Sequence, residues 1–132
     1  MGNLLPSVSI PPGDSITVDH LAGDWKIHQL KRGHRFSTDD LMTAWTAAHC
    51  APMATEQLDI GSGIGSVGLL ALWRLNQSRP MLTERLLTTV EVQELSVALA
   101  RRTIQANGLE RIVRTHVGDL RNSPVLDGKH TF

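Results

Sequence analysis

The stretch Leu58-Asp59-Ile60-Gly61-Ser62-Gly63-Ile64-Gly65-Ser66-Val67-Gly68 constrains this chain more than any other. An apolar run leads into it, Asp59 stands at its edge, and glycines follow at alternate positions 61, 63 and 65. Beyond them Val67, Leu69, Leu70, Leu72 and Trp73 recur at helical spacing. The pattern predicts a buried strand, a tight turn and a helix leaving the turn. Glycine is needed there because the turn demands dihedrals closed to other residues, and because a ligand must approach bare backbone. The free N–H groups that open the helix point at whatever occupies the crevice. The stretch reads as the ligand-binding loop of an α/β protein; the plain alternative is a strand-to-helix turn that holds nothing.

The flanking segments fit that reading. Residues 1–14, with Pro6, Pro11, Pro12 and Gly13 and no periodicity, are expected to form a flexible tail. Ile16 to Leu30 holds two strand-like runs separated by Ala22-Gly23-Asp24, with Trp25 and Ile27 alternating against Lys26 and His28, which predicts a hairpin. A polar, basic loop pivoting on Gly33 follows. Ser37-Thr38-Asp39-Asp40 then resembles a helix start in which Ser37 caps and Asp40 reaches back. Leu41, Met42, Trp45 and Ala48 give that helix an apolar face before Pro52 ends it. After the glycine loop and its helix, Asn76 to Arg85 is a long polar connection containing Pro80. Leu86 to Val92 reads as a second strand, Gln93 to Asn107 as a helix, and Ile112 to Val117 as a third strand. Strands alternating with helices imply right-handed crossovers in a parallel sheet. His130-Thr131-Phe132 reads as the first step into another strand.

Asp59, Glu91 and Asp119 stand at or just past the carboxyl ends of the three successive strands, and in an open α/β sheet those ends line one crevice. A carboxylate after the second strand can accept from both hydroxyls of a ribose, and one after the third from the exocyclic amine of adenine. Each also has a bland reading: Glu91 as a solvated strand end, Asp119 as a turn former after Gly118. Two cofactor classes compete for the loop. Gly63-Ile64-Gly65-Ser66-Val67-Gly68 matches the G-x-G-x-x-G dinucleotide fingerprint. An acidic residue ahead of the first glycine, at Asp59, is no part of that fingerprint, and Glu91 lies beyond the usual spacing of about twenty residues. Glu84 comes closer in spacing, but it precedes its strand instead of ending it.

Leu58 to Gly65 resembles the first motif of class I S-adenosylmethionine-dependent methyltransferases, Thr89-Val90-Glu91 their second, and Val117-Gly118-Asp119-Leu120 their third. Gly33-His34-Arg35-Phe36-Ser37-Thr38-Asp39 is similar to a segment that precedes the domain in bacterial tRNA adenine-N6 methyltransferases. The resemblance covers about Ile16 to Phe132. It implies a Rossmann-like parallel sheet, incomplete here, with an amino-terminal hairpin and helix at 15–52 and a cofactor-binding half-sheet at 56–132. It also implies S-adenosylmethionine as cofactor. Gly61, Gly63 and Gly65 would pass under its methionine part, Asp59 would stand near its amino group, Glu91 would hold the ribose and Asp119 the adenine amine. Phe36, Ser37 and Asp39 would lie over the methionine end, near the transferable methyl. The implied activity is methyl transfer to an adenine exocyclic amine, with tRNA or ribosomal RNA as partner. One departure stands out. The subfamily's Asn-Pro-Pro-Tyr motif follows a fourth strand, whereas the only Pro-Pro pair here is Pro11-Pro12 in the tail. The expectation is therefore the amino-terminal part of such a domain without its catalytic motif. The alternatives are a non-catalytic product that binds cofactor or partner, and a fragment of a nicotinamide-dependent oxidoreductase.

Bulk properties narrow the remaining classes. With 132 residues, one domain at most is expected, and 41% apolar with 20% charged residues describes a globular chain. Thirteen basic and thirteen acidic residues cancel, so no global field recruits nucleic acid, although Lys31, Arg32 and Arg35 could steer a phosphate backbone locally. The single cysteine, Cys50, excludes an internal disulfide, and the six histidines are scattered without metal-ligand spacing. No signal peptide or membrane-length run is seen, so a cytoplasmic or other reducing intracellular address is expected.

Overall fold

Short apolar and β-branched runs, each followed by a 3.6-residue repeat, can bury both their faces only as parallel strands covered by helices. The computed structural model describes residues 4–5, 8–78 and 84–122. Strands β1 (Leu4–Leu5), β2 (Val8–Ser9), β3 (Ile16–Ala22) and β4 (Trp25–Leu30) lead into helix α1 (Thr38–Cys50). Then come β5 (Glu56–Ile60), α2 (Ser66–Ser78), β6 (Leu86–Glu91), α3 (Glu94–Ala106) and β7 (Val113–Val117). The last three strands form one parallel sheet in the order β5-β6-β7. Its register pairs Ile60 with Val90 and Glu91 with Val117, so the carboxyl ends of all three strands come level along one edge of the sheet.

The core joins both halves of the chain. Leu69, Leu72, Leu87 and Leu99 from the sheet and its helices share one buried cluster with Leu21, Ile27 and Leu30 from the β3–β4 hairpin. Each such side chain contributes about 1.5–3 kcal/mol by leaving water. Polar bonds fix the hairpin's position on α3. The Asn107 amide accepts from the Lys26 N–H at 2.9 Å and donates to the Lys26 carbonyl at 2.7 Å, and the His28 N–H donates to Thr103 Oγ1 at 2.8 Å. Asn107, expected as the last residue of that helix, thus also serves β4 as a strand partner would.

Several expectations change. Of the helix face expected through Leu41, Met42, Trp45 and Ala48, only Ala48 is buried; the three larger residues are half exposed (50, 56 and 50%), and Ala44 joins Ala48 on the buried side of α1. Alanines let α1 approach α2 closely, which leaves the larger side chains at the margin, where the Trp45 ring stacks on His49 with centroids 5.2 Å apart. Ser37 occupies the N-cap position with extended backbone but its side chain makes no capping bond, and Asp40 does not reach back to it. The stretch expected as a tail carries the β1–β2 ladder, and Val8 and Ile10 pack against the core. Arg35 donates to the Leu30 carbonyl at 2.9 Å and to Asp19 at 3.1 Å, pinning its loop to the hairpin. Arg85, only 2% exposed, donates to the Ala54 carbonyl at 3.0 Å and so ties the entry of β6 to the entry of β5. Pro80 and His130-Thr131-Phe132 lie outside the described residues.

Candidate functional site

The glycine loop is held from the second strand. The N–H groups of Gly61 and Ser62 donate to the Val90 carbonyl at 2.8 and 3.1 Å, and the Gly63 N–H donates to Glu91 Oε1 at 3.0 Å. Gly61, Gly63 and Gly65 have φ of 67°, 55° and 91°, the left-handed region that the alternating glycines predict. Nothing lies within 4 Å of where a Cβ on Gly61 or Gly63 would stand, so the loop presents open backbone on that side. Between them Ser62 is buried, and its Oγ has no hydrogen-bond partner among the described residues. Gly68 serves packing: a Cβ there would stand 2.9 Å from Asp59 Oδ2 and 3.1 Å from Leu87 Cδ1. Its absence lets the first turn of α2 reach the strand.

The carboxylates differ in how much acceptor capacity remains. Glu91, 8% exposed, uses one bond on each oxygen, from Gly63 N–H at 3.0 Å and from Gln93 N–H at 2.8 Å. A carboxylate offers about four lone-pair sites, so one remains on each oxygen, an arrangement suited to a vicinal diol. Asp59 accepts from the Gly68 N–H at 3.0 Å. Burial pushes its carboxyl above the usual range; the Gly68 bond opposes that, while the charges of Asp40 and Glu91 add to it. Asp119 sits past β7, where Arg121 grips it and holds its carboxyl below the usual range. Gly61, Glu91 and Asp119 line one cleft of about 180 Å³, with the aliphatic side chains of Val92 and Leu120 alongside. Such walls suit the face of a flat ring. A larger cavity of about 420 Å³, apolar and lined by Leu41, Trp45, Leu70 and Trp73, lies between the hairpin, α1 and α2 and is not lined by the glycine loop.

The structure therefore brings Gly61, Glu91 and Asp119 together, with Gly63 bonded to Glu91 and Asp59 just behind, at the base of α2. It treats the amino-terminal segment differently. Phe36 packs against the core and its N–H donates to Gln29 Oε1 at 3.0 Å, while the Ser37 and Asp39 side chains are exposed and make no hydrogen bond to the loop among the described residues. The residue that does reach the loop is Asp40, which accepts from Ser66 Oγ at 2.8 Å. Successive helix residues point about 100° apart, so adjacent acids in Ser37-Thr38-Asp39-Asp40 cannot share a target, and composition alone does not choose between them. Arg121 carried no signal in the sequence beyond its spacing from Asp119.

No protein-family model matches the sequence, and no curated protein matches it. Solved structures do. The N-terminal domain of EvdMO1 with SAH bound superposes with a TM-score of 0.52 at 18% identity, over 66% of this chain and 33% of that one. The tRNA (uracil-54, C5)-methyltransferase of Pyrococcus abyssi, in complex with S-adenosyl-L-homocysteine, gives 0.60 at 15% identity, over 82% of this chain and 25% of that one. TYW2 of Pyrococcus horikoshii, in complex with MeSAdo, gives 0.59 at 19% identity, over 83% and 38%. This chain thus corresponds to well under half of each. Among its described residues no helix is long and apolar enough to cross a membrane. The β5-β6-β7 sheet with its helices is, accordingly, an incomplete Rossmann-like α/β fold of the kind these solved structures contain.

Proposed function

We propose that the chain binds S-adenosylmethionine and forms the amino-terminal part of a methyltransferase domain, with residues 15–52 as its hairpin and helix and 56–132 as its cofactor-binding half-sheet. The observation that carries the reading is the single cleft lined by Gly61, Glu91 and Asp119, in which Glu91 keeps one free acceptor site per oxygen. The residues fit an adenosyl group: a diol acceptor at Glu91, aliphatic walls at Val92 and Leu120, open backbone over Gly61 and Gly63, and an unpartnered hydroxyl on Ser62. Asp59 and Asp40 place negative charge beside the loop, which favours a ligand carrying an ammonium and a sulfonium. Anionic dinucleotides gain nothing from that field. When bound, S-adenosylmethionine supplies an electrophilic methyl carbon; the protein's share is to position and desolvate the sulfonium.

The finer assignment, transfer to an adenine exocyclic amine in tRNA or ribosomal RNA, rests on the similarity of Gly33 to Asp39 to the adenine-N6 subfamily. The P. abyssi neighbour, a tRNA methyltransferase by its name, is compatible with an RNA substrate. We assign the glycine loop, Glu91 and Asp119 cofactor binding. Calorimetry with S-adenosylmethionine, S-adenosylhomocysteine and NAD tests the reading. Binding of the two adenosyl ligands in preference to NAD is expected, and tighter binding of NAD would sink it.

A further inference from the structure

Most of the acceptor capacity of Asp119 is taken by one residue. Its Oδ1 accepts from Arg121 N at 2.9 Å and Arg121 Nε at 3.0 Å, and its Oδ2 accepts from Arg121 Nε at 3.2 Å and Nη2 at 2.6 Å. Three N–H groups, with that of Nε shared between both oxygens, take most of the about four lone-pair sites, and all three come from Arg121, in contrast to the two backbone donors on Glu91 in the same cleft. An exocyclic amine therefore competes with Arg121 for Asp119 and gains its full acceptor strength only when Arg121 lets go. The Arg121 side chain is 84% exposed, so it can swing into water without disturbing the core.

We infer that Arg121 sets base selectivity at the far end of the cleft by occupying the acceptor sites of Asp119 and giving them up to a 6-amino purine. The inference rests on the adenosyl reading of the cleft and adds to it a residue that opposes adenine while engaged. An exposed ion pair of this kind shifts an equilibrium by up to about fivefold, which sets the size of the effect.

The test measures the affinities of S-adenosylhomocysteine and its 6-oxo counterpart, S-inosylhomocysteine, for the wild-type chain, Arg121→Ala and the double variant Arg121→Ala/Asp119→Ala. In Arg121→Ala the adenosyl ligand should bind about two- to fivefold tighter, with no gain for the inosyl ligand, so the adenosyl preference widens. The double variant should lose that widening, because the freed acceptor has gone. An unchanged ratio in Arg121→Ala, or a widening that survives in the double variant, overturns the role of Arg121 and leaves the cofactor reading intact. Failure of all three proteins to bind S-adenosylhomocysteine, with native circular dichroism, overturns the cofactor reading and this inference with it.

Discussion

Replacing Glu91 by alanine should damage both folding and ligand binding, by amounts that can be separated. Glu91 is buried at the end of β6 and accepts from Gly63 N–H at 3.0 Å and Gln93 N–H at 2.8 Å, so it braces the glycine loop and the start of α3 at once. Hydrogen bonds to a charged group are worth about 1.5–3 kcal/mol each. Because the two share one carboxylate they do not add fully, and a loss of about 3–5 kcal/mol is expected. That is a large fraction of the roughly 5–15 kcal/mol that holds a domain folded. Glu91→Gln keeps one acceptor oxygen and turns an amide N–H toward the other donor, so it should lose about half as much. Glu84→Ala is the control. Glu84 pairs with Arg111, but both are exposed, and the change should stay within about 0.5 kcal/mol. Urea denaturation followed by circular dichroism ranks the three variants. Titration of S-adenosylhomocysteine into the folded Glu91→Gln and Glu84→Ala proteins then isolates the ligand's share. Equal stability losses in Glu91→Ala and Glu84→Ala would refute the bracing role, and equal affinities in the titrated pair would refute the diol contact.

Three further outcomes are expected. Burial raises the folded Asp59 carboxyl above its ordinary 3.8, so between that value and the raised one the folded chain holds a proton that the unfolded chain has released, and stability falls as pH rises through the window. Asp59→Asn should flatten that part of the stability profile, read from urea midpoints between about pH 4 and 7; an unaltered slope contradicts the assignment. Gly68→Ala should destabilise despite the roughly 1 kcal/mol that alanine gains in a helix. Its Cβ meets Asp59 Oδ2 at 2.9 Å and Leu87 Cδ1 at 3.1 Å, and overpacking costs about 1–3 kcal/mol; a thermal midpoint above wild type would show that the contact relaxes. Asp40→Ala should cost about 1 kcal/mol more than Asp39→Ala, since both acids stand in the first turn of α1 but only Asp40 accepts from Ser66 Oγ; equal midpoints for the two would remove Asp40 from the site.

The strands and helices were legible because local rules and tertiary demands agree there. Leu86 to Glu91 is apolar enough to be buried on both faces, and it is the central strand; the glycines at 61, 63 and 65 predict positive φ, and all three adopt it. Legibility fails where one helical face must be chosen among several apolar ones. The α1 sequence offers Leu41, Met42, Trp45 and Ala48 as a stripe, yet only Ala48 of these is buried, together with Ala44, because small residues fit between two closely packed helices where larger ones do not. Nor does periodicity reveal Asn107 as a partner of Lys26, since that contact depends on how the hairpin docks on α3.

For the site, position was legible and occupancy was not. That acids at 59, 91 and 119 share a strand-end edge follows from period and order alone, and Glu91 and Asp119 do line one cleft. How each acid spends its lone pairs depends on neighbours that spacing does not rank. Glu91 meets two backbone N–H groups because the loop folds over it, whereas Asp119 meets a guanidinium because Arg121 can curl back within a short turn. Carboxylates at equivalent strand ends therefore reach different states, one half-used and buried, the other gripped by a single guanidinium at the surface. A carboxylate's place in a motif thus fixes where a ligand can be met; the donors around it decide whether the ligand arrives at an open acceptor or must first displace one.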